Sequence, residues 1–129
     1  MKRRDKSNPR EGREQSQRQL KMGEQIRHVL SEAGLREDLR DLTGQAISLT
    51  FTEVRCSADF RLAKAFYVPL GPVSQQDCEF ALKAALPSLQ AAVAKKSTSK
   101  FTPKLTFVYD TSFDEADHLR DVLSSLPKT

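Results

Sequence analysis

Chemistry at neutral pH would first call on histidine, and the chain has two, His28 and His118. His118 stands among Asp114, Glu115 and Asp117, which together could be taken for a metal cluster. Their spacing matches no ligand pattern, and acids at the start of a helix are what the helix dipole favours there. His28 has no second ligand-type group at metal spacing. Cys56 and Cys78 lie 22 positions apart with no C-x-x-C pair, and read as two small, reduced, semi-apolar side chains. No G-x-S-x-G, H-E-x-x-H, P-loop or dinucleotide fingerprint occurs. The five glycines, Gly12, Gly23, Gly34, Gly44 and Gly71, are too scattered to cradle a phosphate. The sequence therefore predicts no catalytic residue, no metal, no cofactor and no small-molecule substrate.

What remains able to do work is charge. The net charge of +4 is unevenly distributed. Residues 1–21 hold eight Lys/Arg and three Asp/Glu, whereas residues 22–129 hold thirteen and fourteen. No acid occurs between Glu79 and Asp110, yet Lys83, Lys95, Lys96, Lys100 and Lys104 fall there. Asp110, Asp114, Glu115, Asp117 and Asp121 then face a single Arg120. Segregated charge of this kind favours a polyanion on one face. Lysines neutralise phosphates and release counterions, which gives salt-sensitive affinity with little sequence readout. Arg55, Arg61 and Lys64 add to this set, as do Arg18 and Lys21 near the basic start of the chain.

The elements that must position these residues follow from periodicity. With 129 residues, 38% of them hydrophobic, the chain can bury one modest core. Residues 1–17 are polar, contain Pro9 and Gly12, and are expected to form a disordered basic tail before one domain over residues 18–126. Met22, Ile26, Val29, Leu30 and Ala33 make one apolar stripe, predicting a helix over about 17–33 with Gly34 as its C-terminal cap. A short helical turn is expected through Leu35, Leu39 and Leu42, punctuated by Thr43-Gly44. Ile47, Leu49 and Phe51 alternate as on a half-buried strand, and Val54 breaks the alternation, which predicts a bulge. After a turn at Cys56–Asp59, a strand over about 60–70 is apolar on both faces, as a central strand is. Gly71-Pro72 ends it. Ser74 and Asp77 then open a helix like a capping box, and its stripe continues to about Lys96. Pro87 inside that stripe removes the bond to the Lys83 carbonyl, so two helical pieces meeting at a bend are expected. Leu105, Phe107 and Tyr109 mark a third strand. Ser112 and Glu115 suggest a capping box for a last helix with the stripe Leu119, Val122, Leu123 and Leu126. The order α-β-β-α-bend-α-β-α predicts an α+β fold, a three-stranded sheet with helices packed on one face, in the layout of a type II KH domain.

No run of about 18 apolar residues exists to span a membrane. The start, Met-Lys-Arg-Arg-Asp, has no apolar run before Leu20 and does not read as a secretory signal, and Asp5, Glu11 and Glu14 argue against an organelle transit peptide. The expected compartment is the cytoplasm.

Several segments, in order, resemble the ribosome-binding factor A family. Glu53 to Gly71 is similar to that family's hairpin, roughly E-V-x-x-S-P-D-L-x-x-A-x-V/F-x-V-x-x-L-G, with Ala58 where proline is usual. Lys100 to Asp110 resembles its final strand, with Thr102-Pro103, Leu105, Phe107 and Asp110 in place. Ile26-Arg27 fits its opening, and Ser112 to Leu123 its closing S-x-x-x-A-x-x-x-x-x-L pattern. The resemblance implies a KH-like fold in which an alanine-centred kink replaces the strand-gripping G-x-x-G loop. That kink falls at Ala85, Leu86 and Pro87, with proline where the family usually has glycine. It also implies binding to the small (30S) ribosomal subunit and its 16S rRNA, as a monomer off the ribosome, with assistance to late subunit maturation and rRNA processing and no enzymatic activity. The helix after the kink is normally richer in arginine, which raises the expected share of Arg18, Lys21 and the tail. The competing expectation is a protein-interaction module that uses the sheet face and the acidic C-terminal helix, with RNA binding incidental.

Overall fold

A computed structural model describes residues 14–36, 39–96 and 101–112. Five elements run in the order α1 (Gln17–Arg36), β1 (Ser48–Cys56), β2 (Leu62–Leu70), α2 (Gln75–Lys96) and β3 (Lys104–Tyr109). The sheet order is β1-β2-β3, so β2 is central, as its two apolar faces predict. The pair β1–β2 is an antiparallel hairpin. The pair β2–β3 is parallel, with Leu62 beside Lys104 and Tyr67 beside Tyr109. The fold is therefore α+β. The last helix anticipated from the sequence lies outside the described residues, apart from a helical start at Thr111 and Ser112.

Helix α1 begins with a reciprocal cap. The Ser16 hydroxyl accepts from the Gln19 N–H at 3.1 Å, and the Gln19 side-chain oxygen accepts from the Ser16 N–H at 2.8 Å. The helix does not stop at Ala33. Gly34 lies inside it, and a Cβ there would meet only the Phe51 ring at an ordinary 3.7 Å. The expected helical turn through Leu39 and Leu42 is instead a tight loop. One Asp41 carboxylate oxygen accepts from the N–H groups of Thr43 and Gln45, both at 2.9 Å, and these side-chain bonds outcompete a helical ladder. Gly44 follows at φ 87°, which a side chain would resist.

The bulge anticipated in β1 is present. Phe51 faces Tyr67 and Glu53 faces Phe66, so Thr52 is the extra residue. The shift lets Phe51, Val54 and Cys56 all join the buried cluster beneath the helices. Between β1 and β2, Ser57 and Asp59 organise the turn. The Ser57 hydroxyl oxygen accepts from the N–H groups of Arg61 and Leu62, and Asp59 also accepts from Arg61 N–H. The turn closes on Phe60 at φ 59°, an uncommon state for a bulky residue.

Helix α2 starts as expected. Ser74 Oγ accepts from Asp77 N–H at 3.1 Å. The expectation of two helical pieces is corrected, because α2 runs unbroken through Pro87 to Lys96. Lys83 and Pro87 both face outward, so the carbonyl that loses its partner is on the side where water can replace the missing bond. Of the three residues expected at a kink, Ala85 is buried, Leu86 half-buried and Pro87 exposed. The core lies between the helices and one sheet face: Ile26, Leu30 and Ala33 from α1, Cys78, Leu82, Leu89 and Val93 from α2, and Ala63, Ala65, Tyr67 and Leu105 from the sheet.

Gly23 sets the closest approach in this core. A Cβ at Gly23 would fall 2.2 Å from the Val54 carbonyl oxygen and 3.2 Å from its carbon, with backbone as the obstacle. We expect Gly23→Ala to destabilise the fold by about 1–3 kcal/mol through forced displacement. The gain of about 1 kcal/mol in helix propensity from Gly to Ala does not reverse this. Gly34→Ala, with room for its methyl, should be neutral or stabilising. Urea unfolding midpoints of the two variants, at unchanged m-value, test the contrast. A Gly23→Ala protein as stable as the parent would show that α1 is not seated this tightly.

Candidate nucleic-acid interface

Topology decides which basic residues can act together. β1 ends at Cys56 and β2 begins at Leu62, so their turn lies at one end of the sheet. Because β3 is parallel to β2, it begins at the same end, and the Lys104 N–H donates to the Arg61 carbonyl at 2.8 Å. The start of α1 is tied to this end too. Gln19 Nε2 donates to the Cys56 carbonyl at 2.9 Å, and the Gln15 side-chain oxygen accepts from the Cys56 N–H at 3.2 Å. The end of α2 arrives here as well. Lys96 and Lys21 line one open groove between the helices, with Glu24, Gln25, His28, Val29 and Glu32.

Arg18, Lys21, Arg55, Arg61, Lys64, Lys95, Lys96 and Lys104 thus gather around one pole of the molecule. Lys83 does not join them. It sits 13 residues before Lys96 in α2, about 20 Å back along the axis at 1.5 Å per residue. Lys100 lies outside the described residues. The opposite pole holds the start of α2, with Asp77 and Glu79, and the end of β3, with Asp110.

Within the basic pole there are two sides. Ala63, Ala65 and Leu105 point to the helices, so alternation places Lys64 and Lys104 on the other face of the sheet, with Arg55 directly across from Lys64. Like charges facing each other across strands are destabilising. Here Glu53 Oε2 lies 3.1 Å from Arg55 Nη1 and offsets part of that repulsion. The other acids nearby are also engaged. The Arg27 guanidinium, bonded to Glu24, holds that carboxyl below its usual range. The Ser57 hydroxyl and the Arg61 N–H do the same for Asp59.

Two aromatic rings, which the sequence does not single out, belong to this pole. The Arg18 guanidinium carbon lies 5.3 Å from the centroid of Phe60, and that of Arg61 lies 5.5 Å from the centroid of Phe101. Both are cation–π distances. The sequence carried a signal for neither, because the partners are 42 and 40 residues apart. The capping box at Ser16–Gln19, by contrast, was readable as S-x-x-Q before an apolar run.

The residues considered for chemistry are not arranged for it. Among the described residues no three His, Cys, Asp or Glu side chains are grouped to hold a metal. His28 lies on the α1 surface, 3.6 Å from Glu32. His118 and its acids lie outside the described residues. Cys56 and Cys78 are unpaired with each other and buried. No described helix is long and apolar enough to cross a membrane.

The chain matches the family model described as Ribosome-binding factor A over residues 18–123. A ribosome-binding factor A from Ruegeria sp. (strain TM1040) is 43% identical over 105 residues, which cover 81% of this chain and 80% of that one. The crystal structure of ribosome-binding factor A from Thermus thermophilus has a similar fold, with a TM-score of 0.60 at 22% identity over 70% of this chain and 93% of that one. The Thermus thermophilus homology model fitted into the cryo-EM map of a 30S complex with ribosome-binding factor A matches with a TM-score of 0.53, at 24% identity over 69% of this chain and 91% of that one.

Burial pushes both cysteine thiols up to about 11 from an ordinary 9.0. At neutral pH neither should react with a thiol reagent until the protein unfolds. Raised native pKa values mean that the native state keeps protons the unfolded state has lost. Their contribution to stability is thus complete below pH 9 and fades as pH rises toward about 11. Tyr67, also pushed up by burial, acts in the same direction. Urea midpoints across this window should fall, and fall less steeply in a Cys56→Ala/Cys78→Ala variant. Rapid labelling of the native protein at pH 7.5 would contradict the burial.

Proposed function

The chain belongs to the ribosome-binding factor A family, and from that premise we propose that it binds the small (30S) ribosomal subunit on its 16S rRNA through the basic pole. The observation that carries this reading is the convergence of α1, the hairpin turn, the end of α2 and the start of β3. It collects eight cations that are scattered over 87 positions of sequence, from Arg18 to Lys104. Binding by such a pole is a phosphate-neutralising, counterion-releasing interaction. The α-β-β-α-β order with β3 parallel to β2 supports a KH-like, type II layout. No G-x-x-G loop is present to clamp a single strand, so the pole reads the shape of a folded RNA surface.

The work is positional and not catalytic. A factor that binds an immature particle better than a mature one shifts the population of rRNA arrangements by that difference in affinity. Assistance to late maturation and rRNA processing follows from holding those arrangements open to other factors. The protein acts as a monomer in the cytoplasm, reaching the particle by electrostatic steering. Residues 1–17 hold six Lys/Arg against three Asp/Glu and lead into α1, which starts at this pole, so their positive balance adds to its attraction for phosphates.

The test is co-sedimentation with isolated small subunits, large subunits and whole ribosomes across a salt series. We expect retention on small subunits that weakens steeply with salt. Changing Lys95, Lys96 and Lys104 together to Glu should lower that affinity at least about ten-fold, with the urea midpoint unchanged, since each lost phosphate contact weakens binding and flattens the salt slope. Lys83→Glu, about 20 Å away, should have little effect. Equal loss from Lys83→Glu would move the interface onto the length of α2. Retention insensitive to salt would favour an apolar protein contact instead.

A further inference from the structure

We propose that residues 113–126 of this chain cover the outer face of the sheet and set their acids beside Arg55, Lys64 and Lys104, where they compete with RNA phosphate. This rests on the reading of the basic pole as an RNA-binding surface and adds what regulates access to one side of it.

The outer face is the one turned away from the helices. Ala63, Ala65 and Tyr67 point inward, so Lys64, Phe66 and Val68 point outward, with Thr106 and Val108 of β3 beside them. Phe66 is 1% exposed, yet it is not among the residues that form the core under the helices. A phenyl ring standing on a sheet face can be hidden at its edges by neighbours on the strands, but not at its tip. A ring this dry has something lying over it, and that burial is favourable. Val68 and Val108 are half-buried, so an apolar strip extends along the face.

The chain leaving β3 starts on this face. Tyr109 packs inward on Tyr67, so the next residue, Asp110, points outward. One oxygen of its carboxylate accepts from Thr52 Oγ1 at the bulge in β1, and the side chain thus reaches over β2. The other oxygen accepts from the Ser112 N–H at 3.0 Å, as an N-cap does, at the helical start formed by Thr111 and Ser112. The exit from β3 is thereby moored beside the Phe66 strip.

The sequence beyond fits the cover. Leu119, Val122, Leu123 and Leu126 recur at helical spacing. As a helix, residues 113–126 would reach about 21 Å at 1.5 Å per residue. The outer face from Asp110 back to Lys104 is about 20 Å long at 3.3 Å per residue. The same segment holds Asp114, Glu115, Asp117 and Asp121 against the single Arg120, and the basic end of the face holds Arg55, Lys64 and Lys104. Apolar matches apolar near the exit, and acid matches base farther along. A tethered segment acts at high effective concentration, so modest contacts suffice.

The experiment uses the full chain. A nitroxide is placed on a Ser124→Cys variant, in which the native thiols are buried, and amide resonances are recorded. Broadening should centre on Lys64 to Val68 and Thr106 to Val108 and spare α1 and α2. Broadening centred on the helices, or none on the sheet, would overturn the proposal. So would broadening of an isotope-labelled parent chain by an equimolar spin-labelled chain, which would assign the face to a second copy. Competition is read from small-subunit retention. Asp117→Asn/Asp121→Asn should raise affinity about three-fold at low salt, as exposed charge pairs allow, and the gain should vanish at high salt. Asp77→Asn/Glu79→Gln makes the same change of net charge at the opposite pole and should do less. Equal gains from the two variants, or no gain from the first, would overturn the competition. If neither parent nor variants sediment with small subunits, the basic pole itself falls, while the broadening still reports the cover.

Discussion

The placement of α1 against the edge of β1 governs the rest of the molecule. At Gly23 the helix backbone comes so close to the Val54 carbonyl that no side chain fits between them. One turn earlier, Gln19 and Gln15 bond to both backbone groups of Cys56. Gln19 does this while completing the helix cap with Ser16, so a single buried amide both starts the helix and docks it. Buried polar groups are costly unless satisfied, and this arrangement satisfies the helix end and the strand edge together. It also fixes where Arg18 and Lys21 emerge.

The opposite edge of the sheet is treated in the same way. Gln90 of α2 bonds to Pro103 and Leu105 on the outer side of β3, as Gln19 of α1 and Gln15 just before it bond to the outer side of β1. An open strand edge invites pairing with another chain. Here both edges are capped by glutamines in the helices or just before them, at the pole where the cations gather. The sheet is thus closed to strand addition at the end where charge invites a polyanion, and what approaches there meets side chains and not an unpaired ladder. At the far end, Asp110 plays a matching part. It is buried, takes hydrogen bonds from the Thr52 hydroxyl and the Ser112 N–H, and ties the bulge in β1 to the chain leaving β3. The bulge, read from a broken alternation, is therefore also a junction.

Much of this was legible because it is local. The alternation of Leu49 and Phe51, the two-faced β2, the Ser74 cap and the stop at Gly71 are governed by residues within a few positions of one another. The misreadings come from contacts across the fold. Gly34 looked like a helix end because glycine commonly ends helices, yet packing near Phe51 carries α1 past it. Pro87 looked like a break, but its lost bond is on an exposed helix face. Gly23 sits in the apolar stripe and gave no sign that a carbonyl was beneath it. The basic residues were expected to serve one face, while which of them the fold brings together was not legible. That required β3 to return parallel to β2, so that Lys104 joins Arg61 and Lys83 is left behind. The Arg61–Phe101 pair depends on the same return, and the Arg18–Phe60 pair on the docking of α1 beside the hairpin turn.

A pole of like charge has a cost to the free protein, and that cost bears on mechanism. Arg55 faces Lys64 across the hairpin, and Lys21 shares a groove with Lys96. An anion placed between such groups gains their attraction and also relieves their mutual repulsion, so bound and free states differ by more than the sum of isolated contacts. The effect is short-ranged. At physiological ionic strength it decays over about 8 Å, the Debye length. For a factor that must leave its particle, this range is useful: on the proposed reading, moving one rRNA segment by about that distance would remove most of the attraction. On that reading, affinity built from several modest phosphate contacts, without a strand clamp, is reversed by rearrangement of the RNA itself.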